Sequence, residues 1–418
     1  MNEIVTPMSA YISLSGRQSS SRKRLFICDP VCAQPFGHNV TALRYFRSVF
    51  ADKYSEIVAV CSKKLPRQLA AENDFVAHYE FYYQRYIPLP DNDDELESDL
   101  AGGSLRFIDK EEDVATADAL RFLEDFNIGE HDTLMFPSVD FYGLVGIFNA
   151  LQMRREQPMP KLLLRFIAVM ERATPTYADP ISEIIDRIED AREAGIPMAI
   201  SAETPRWADY LATRLDTSVT VTPYPDVATP LEMSEVGPFV FYCPGSARHD
   251  KGFMSLRQIF RGVRERDRAM DIRFVTQVLP YRESAHYQTY LSQLYAIPGV
   301  ELLEPTISIE EMIANYRNCN AILLPYDATI YEHRGSAVLM EAACLGRPVI
   351  ALDGSAFSEQ VRYYGLGTVV PTIDSMIDAA CALAECPRRE LIGRARQARY
   401  RFLADVESGY ERWLRAFE

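Results

Sequence analysis

Tyr331-Glu-His-Arg-Gly-Ser-Ala-Val-Leu-Met-Glu341-Ala-Ala-Cys-Leu-Gly-Arg-Pro348-Val-Ile-Ala decides how this chain is built. A polar loop runs into a helix start, an apolar helical stretch carries Glu341, and Gly346-Arg347-Pro348 breaks it before a buried strand. The N–H groups of Gly335, Ser336 and Ala337 lack partners inside such a helix. With the positive end of its dipole they can hold a phosphate. Glu341 lies about one and a half turns further in, on the face that can look back at the same ligand. Read without its neighbours, the stretch is equally an ordinary crossover helix of an α/β domain.

On the N-terminal side, apolar runs at 24–29, 56–61, 133–136, 162–166, 198–201 and 219–221 alternate with helical periods at 40–50, 114–126, 142–155, 179–194 and 204–215. Pro223-Tyr-Pro225 and a polar stretch to Pro238 read as a linker, after which the alternation restarts. Strands are predicted at 239–243, 272–278, 300–303, 321–325 and 349–352, and helices at 253–267, 284–296, 308–317 and 373–385, with a last amphipathic stretch at 388–416. Such alternation predicts an α/β fold with two Rossmann-like, doubly wound parallel-sheet domains and a cleft between them. A length of 418 residues suits two such domains. The expected organisation is a disordered tail over 1–22, a first domain over 23–222, a linker over 223–238 and a second domain over 239–398, then a final segment over 399–418. Segment 88–113, with Asp91-Asn-Asp-Asp94, reads as a solvated surface excursion and not as a metal site.

Composition narrows the function classes. A net charge of −15 argues against nucleic acid as a general partner, because gripping a phosphate backbone needs a basic face. The basic runs Arg17–Arg24 and Arg388–Arg401 read as solvated faces, leaving peripheral membrane contact open. No uninterrupted apolar run is long enough to span a bilayer. The eight cysteines include no Cys-x-x-Cys pair, and Cys28, Cys243 and Cys344 sit in apolar runs, which fits a reducing cytoplasmic setting. His78, His131 and His286 lack metal spacing. Ser336 lacks the strained elbow of a hydrolase nucleophile, and Gly365-x-Gly367 lacks the third glycine of a dinucleotide site.

A second anion corner opens the later unit. In Tyr242-Cys-Pro-Gly245-Ser-Ala-Arg248-His-Asp-Lys251-Gly252-Phe, Gly245 allows a tight turn at a strand end, and Arg248 and Lys251 place two cations in the loop. Two anion corners at strand C-termini of one unit suggest a ligand carrying at least two phosphates. Asp140 ends a first-domain strand at the cleft edge and is a candidate acceptor contact.

These two segments, Gly245-x-x-Arg248-x-x-Lys251-Gly252 and Gly335-Ser-Ala-Val-Leu-Met-Glu341-Ala-x-x-x-Gly346-x-Pro348, resemble the donor half of the family 4 retaining glycosyltransferases. The N-terminal half resembles them by topology and by Gly37-His38 after the first strand. The resemblance implies the GT-B architecture, with a final helix crossing back to the first domain. It implies a nucleotide-diphosphate sugar as donor and co-substrate. The acceptor would be a saccharide, a lipid-linked molecule or another hydroxyl compound, reached at the inner membrane face or in the cytoplasm. No metal or other cofactor is implied, and attack would come from the same face, with retention. Arg248 and Lys251 would neutralise the departing diphosphate, Glu341 would bind the ribose, and Gly335 to Val338 would touch phosphate and sugar, with Glu332 and Arg334 beside them. Gly37 would lie near the donor phosphates, and His38 would contact acceptor or sugar. One position departs: the family's first glutamate, eight residues before the second, is His333 here, next to Glu332. His333 therefore stands as a candidate for the catalytic contact with the sugar. A nucleotide-sugar epimerase of the same fold, and a non-catalytic nucleotide-sugar-binding scaffold or sensor, remain as alternatives.

Overall fold

A computed structural model describes residues 23–33, 39–80, 83–86, 104–107, 111–139, 141–167, 180–223, 231–245, 248–266, 271–278, 285–305 and 307–417. The first sheet contains strands β1 (Arg24–Asp29), β2 (Glu56–Ser62) and β3 (Phe75–Tyr79). A separate antiparallel pair, β4 (Tyr83–Tyr86) with β5 (Ser104–Phe107), follows. The first sheet then continues through β6 (Thr133–Phe136), β7 (Lys161–Phe166), β8 (Met198–Ala202) and β9 (Thr220–Val221). Its order is β3-β2-β1-β6-β7-β8-β9, with every pairing parallel.

The second sheet contains β10 (Phe239–Cys243), β11 (Ile272–Gln277), β12 (Val300–Leu303), β13 (Ala321–Leu324), β14 (Val349–Leu352) and β15 (Gly367–Val370). Its order is β12-β11-β10-β13-β14-β15, again all parallel. Both are doubly wound sheets, so the strand order reverses once in each, between β1 and β6 and between β10 and β13.

Local chemistry accounts for these elements. β6 and β13 are buried at every residue, as strands covered on both faces must be, which is why each reads as an unbroken apolar run. The helix Leu256–Arg266 buries Leu256, Ile259, Phe260 and Val263, the one-sided stripe of a covering helix. In the helix Ala337–Leu345 every residue after Ala337 is buried, because it lies between the second sheet and the C-terminal helix.

Strands β3, β4, β5 and β15 and the helices Arg67–Glu72 and Ala356–Tyr364 are not predicted from the sequence. β3 and the helix Arg67–Glu72 before it are short and carry polar residues. β15 opens on Gly367 at the second sheet's edge, after the helix Ala356–Tyr364, whose cap is Gly365. The described ends of the 88–113 neighbourhood form the β4–β5 pair; Asp91–Asp94 lies outside the described residues, as does the 1–22 tail.

The amphipathic stretch predicted at 388–416 folds as a helix. Arg388–Leu414 is one helix of 27 residues, about 40 Å long. Leu391 belongs to the apolar cluster of the second sheet. Further along, Arg399 Nε donates to Cys344 O at 2.6 Å. The far end packs on the first sheet, where Trp413 Nε1 donates to Ala199 O at 3.1 Å. The Tyr410 ring meets Phe46 and Phe50 of the helix Asn39–Val49 and its C-terminal edge, with centroids 5.7 and 6.1 Å apart. One apolar cluster consequently contains Phe46, Tyr410 and Trp413 together with Tyr242 and Leu339 of the second unit.

Candidate functional site

The loop after β10 and the loop after β13 leave adjacent strands where the second sheet's order reverses, the usual ligand position of such sheets. They touch each other: Asp327 N donates to Asp250 O at 3.0 Å. Gly252 makes the contact feasible. Its φ is +72°, and a Cβ there would fall 1.9 Å from Pro325 O.

Arg248 and Lys251 are held differently. Arg248 Nε and Nη2 donate to the two carboxylate oxygens of buried Asp250, at 2.8 and 2.5 Å. Tyr331 OH donates to the same carboxylate at 3.2 Å and accepts from Arg248 Nη2 at 3.3 Å. Burial works against the Arg248 charge, but Tyr331 and Asp250 hold its pKa above the ordinary value. Lys251 has its ammonium 5.8 Å over the Tyr326 ring and 2.8 Å from where a Gly245 Cβ would be. Burial, reinforced by Arg248, pushes its pKa down to about 8, against the pull of Asp250 and Glu341. A Gly245 Cβ would also lie 3.8 Å from Val338 Cγ2, so the two anion corners converge. Beside Lys251 a cavity of about 20 Å³, lined by Gly245, Thr276 and Tyr326 among others, has room for one water.

The helix start lies one residue later than the sequence reading has it. Ser336 is the N-cap, accepting from Leu339 N at 3.2 Å. The amides without a partner inside the helix are therefore those of Ser336, Ala337 and Val338 rather than of Gly335 to Ala337. Arg334 lies over the Tyr331 ring at 5.3 Å. Glu341 is buried, and its Oε2 accepts from Tyr316 OH at 2.5 Å. Burial and then Glu341 keep that hydroxyl protonated well above the ordinary tyrosine range. The Tyr316 ring in turn stands edge-on to Tyr242 at 5.4 Å.

His333 turns the other way, onto the helix Pro205–Leu215 of the first domain. The His333 ring lies 5.0 Å from Trp207 and 5.1 Å from Tyr210, and its Nδ1 is buried without a hydrogen-bond partner among the described residues. Burial lowers its pKa, Glu332 opposes, and Arg206 adds to the lowering. The His333 carbonyl accepts from Thr204 Oγ1 and the Glu332 carbonyl from Arg206 Nη1, both at 2.9 Å. Gly37, His38 and Asp140 lie outside the described residues.

Several participants escape a local reading of the sequence. Asp250 was readable, standing two residues after Arg248 in the same loop. Tyr316 was not, since 25 residues separate it from Glu341. Glu203 and Arg165 come from the other domain. Arg165, fully buried, donates to Glu203 Oε1 at 3.0 Å, to Thr222 O at 2.8 Å and to Pro137 O at 2.9 Å. A larger cavity of about 740 Å³, among Arg257, Arg261 and Arg264 of the helix Leu256–Arg266, shares no lining residue with this cluster. Among the described residues no group of three or more His, Cys, Asp or Glu side chains is placed to hold a metal ion. No helix among them is long and apolar enough to cross a membrane.

No family model and no curated protein matches the chain. Solved structures do. Sucrose-phosphate synthase from Thermosynechococcus elongatus is similar over 95% of this chain and 99% of its own, with a TM-score of 0.60 and 14% identity. The E. coli trehalose-6-phosphate protein bound with UDP-2-fluoro glucose is similar over 94% and 98%, at 0.59 and 11%. Together with the two reversing parallel sheets and the crossing final helix, this decides the architecture. The chain has the GT-B fold. A further GT-B likeness, to S. aureus TarM, covers 76% of this chain but only 59% of TarM, with a TM-score of 0.55 and 12% identity. At these identities the likeness is one of fold.

Proposed function

We infer that this protein transfers a sugar from a nucleotide-diphosphate sugar to an acceptor hydroxyl, with retention at the anomeric carbon, in the building of a polysaccharide or glycoconjugate. One observation carries the reading: Arg248, Lys251 and the helix start at Ser336–Val338 converge at the switch point of the second sheet, with Glu341 behind them. Two cations and a row of amides suit a diphosphate, and a buried carboxylate suits a ribose diol. The structural neighbour bound with UDP-2-fluoro glucose supports the donor class.

In this reading the costly event is departure of the diphosphate. Arg248, already oriented by Asp250, and Lys251 meet the charge that grows on the leaving oxygen, in a site whose low polarity strengthens both. The protein's own cations take the leaving-group role, so a metal is not part of the proposal. The acceptor hydroxyl attacks from the face the phosphate leaves, and that phosphate takes its proton. The acceptor is a saccharide, a lipid-linked molecule or another alcohol met at the first domain.

Thermal unfolding of the pure protein with a panel of nucleotide-diphosphate sugars tests this, followed by detection of released nucleoside diphosphate with candidate acceptors. One donor should raise Tm in the wild type, and Arg248→Ala and Glu341→Ala should each abolish the shift. No shift with any donor in a folded wild type would sink the reading. Binding without turnover across a broad acceptor set would favour a scaffold, for which His333 turned onto Trp207 is the motivating observation.

A further inference from the structure

Gly335, which opens the phosphate-facing loop, abuts a side chain of the other domain. A Cβ on Gly335 would fall 2.2 Å from Glu203 Oε2, 2.5 Å from its Cδ and 2.7 Å from its Cγ. Three successive atoms of one side chain thus fill the place of the missing methyl group. Glu203 has little freedom to retreat. It is buried, its Oε1 is held by the wholly enclosed Arg165, and Gln360 Nε2 lies 3.4 Å from its carbonyl. Just upstream, Thr204 and Arg206 grip the carbonyls of His333 and Glu332. The first domain therefore holds the loop's backbone at Glu332 and His333 and abuts it at Gly335, just before the helix cap at Ser336.

We propose that Glu203 is a positioning residue for the donor site: braced by Arg165, it acts as a stop against Gly335 and sets where the Ser336–Val338 amides stand. This deepens the functional reading above and rests on it. Glu203 touches no donor atom in the proposal; it acts through the loop. His333 is spent on docking to Trp207 and Tyr210, and the loop it belongs to is registered from across the interface by a carboxylate distant in sequence.

The test is steric exchange. Gly335→Ala should weaken donor binding and lower kcat/KM by roughly 100-fold, the scale associated with misplacing a reacting group by about 1 Å. Glu203→Asp withdraws the carboxylate by one methylene while keeping a charge for Arg165. Combined with Gly335→Ala it should recover at least about tenfold of the lost donor affinity, a coupling that independent sites do not show. Glu203→Gln keeps the original length, so its combination with Gly335→Ala should recover nothing. Donor Kd, kcat/KM and Tm are read for all variants. Strict additivity of Gly335→Ala and Glu203→Asp would overturn the proposal. So would recovery of Tm alone, with donor Kd equal in every folded variant, since that is a packing contact only. A wild type that binds no nucleotide sugar is a different result: it removes the functional reading and the positioning role with it, while Tm recovery would still report the steric contact.

Discussion

Lys251 concentrates the electrostatics of this molecule at one atom. Its pKa of about 8 means that, between there and the free-lysine value of 10.5, the unfolded chain carries a proton that the folded apo protein has released. Below about 8 both states are charged and the fold bears the cost of enclosing an ammonium. Stability therefore rises as pH climbs through that window. An anion bound beside Lys251 reverses the preference and draws the proton back. Calorimetry of donor or nucleoside-diphosphate binding at about pH 9, in two buffers of different ionisation enthalpy, should show uptake approaching one proton. Lys251→Met should show none. Equal heats in both buffers for the wild type would count against enclosure of this amine beside the phosphates. Much of this corner was legible in the sequence, because Gly245, Arg248, Lys251 and Gly252 lie within one short loop. Tyr316 and Glu203 were invisible there, since their contacts join residues whose proximity only the assembled sheets create.

Arg347 shows the same limit at the scale of elements. In the sequence it is the middle of a Gly-Arg-Pro break. In the fold it is buried and donates to the carbonyls of Tyr316 at 2.6 Å, Leu231 at 3.0 Å and Glu232 at 3.1 Å. One planar fork thus joins the end of the helix Ile309–Asn318, the chain leading into β10 and the end of the helix Ala337–Leu345. Burial lowers its pKa, a sign of how much hydration those carbonyls replace. Lysine cannot match that geometry. Arg347→Lys should cost roughly 3 kcal/mol or more in urea unfolding, the range for buried charged groups that lose partners. A loss under about 1 kcal/mol would mean the carbonyls find other donors. Most of the helices and the central strands were readable, because their apolar periods are set locally. The edge strands β3 and β15 were not: an edge is half solvated, and its polar and glycine residues blur the alternation.

Taken whole, the molecule is two parallel sheets with a shared apolar interior. Phe46, Tyr410 and Trp413 meet under the first sheet, and the cluster that holds them continues to Tyr242 and Leu339 under the second. The helix Arg388–Leu414 therefore serves both units, fastened to the second at Cys344 O and to the first at Ala199 O. Relative motion of the units has to work around this strut and the loop grip at His333 and Glu332.

That strut also places a constraint on the order in which the protein comes into being. Trp413 is joined to the chain 214 residues after the strand residue it completes. A ribosome delivering some 5–20 residues per second leaves the first domain without its aromatic lid for roughly 10 to 40 seconds. During that interval the face around Phe46 and Phe50 is an uncovered apolar surface awaiting a helix not yet made. Residues 23–222 produced alone should accordingly stay loosely packed, with weak near-ultraviolet dichroism and fast amide exchange in β8. Adding a peptide spanning 399–417 should restore protection there. A fragment that is already well ordered by itself would show that the first domain closes without waiting for the helix Arg388–Leu414.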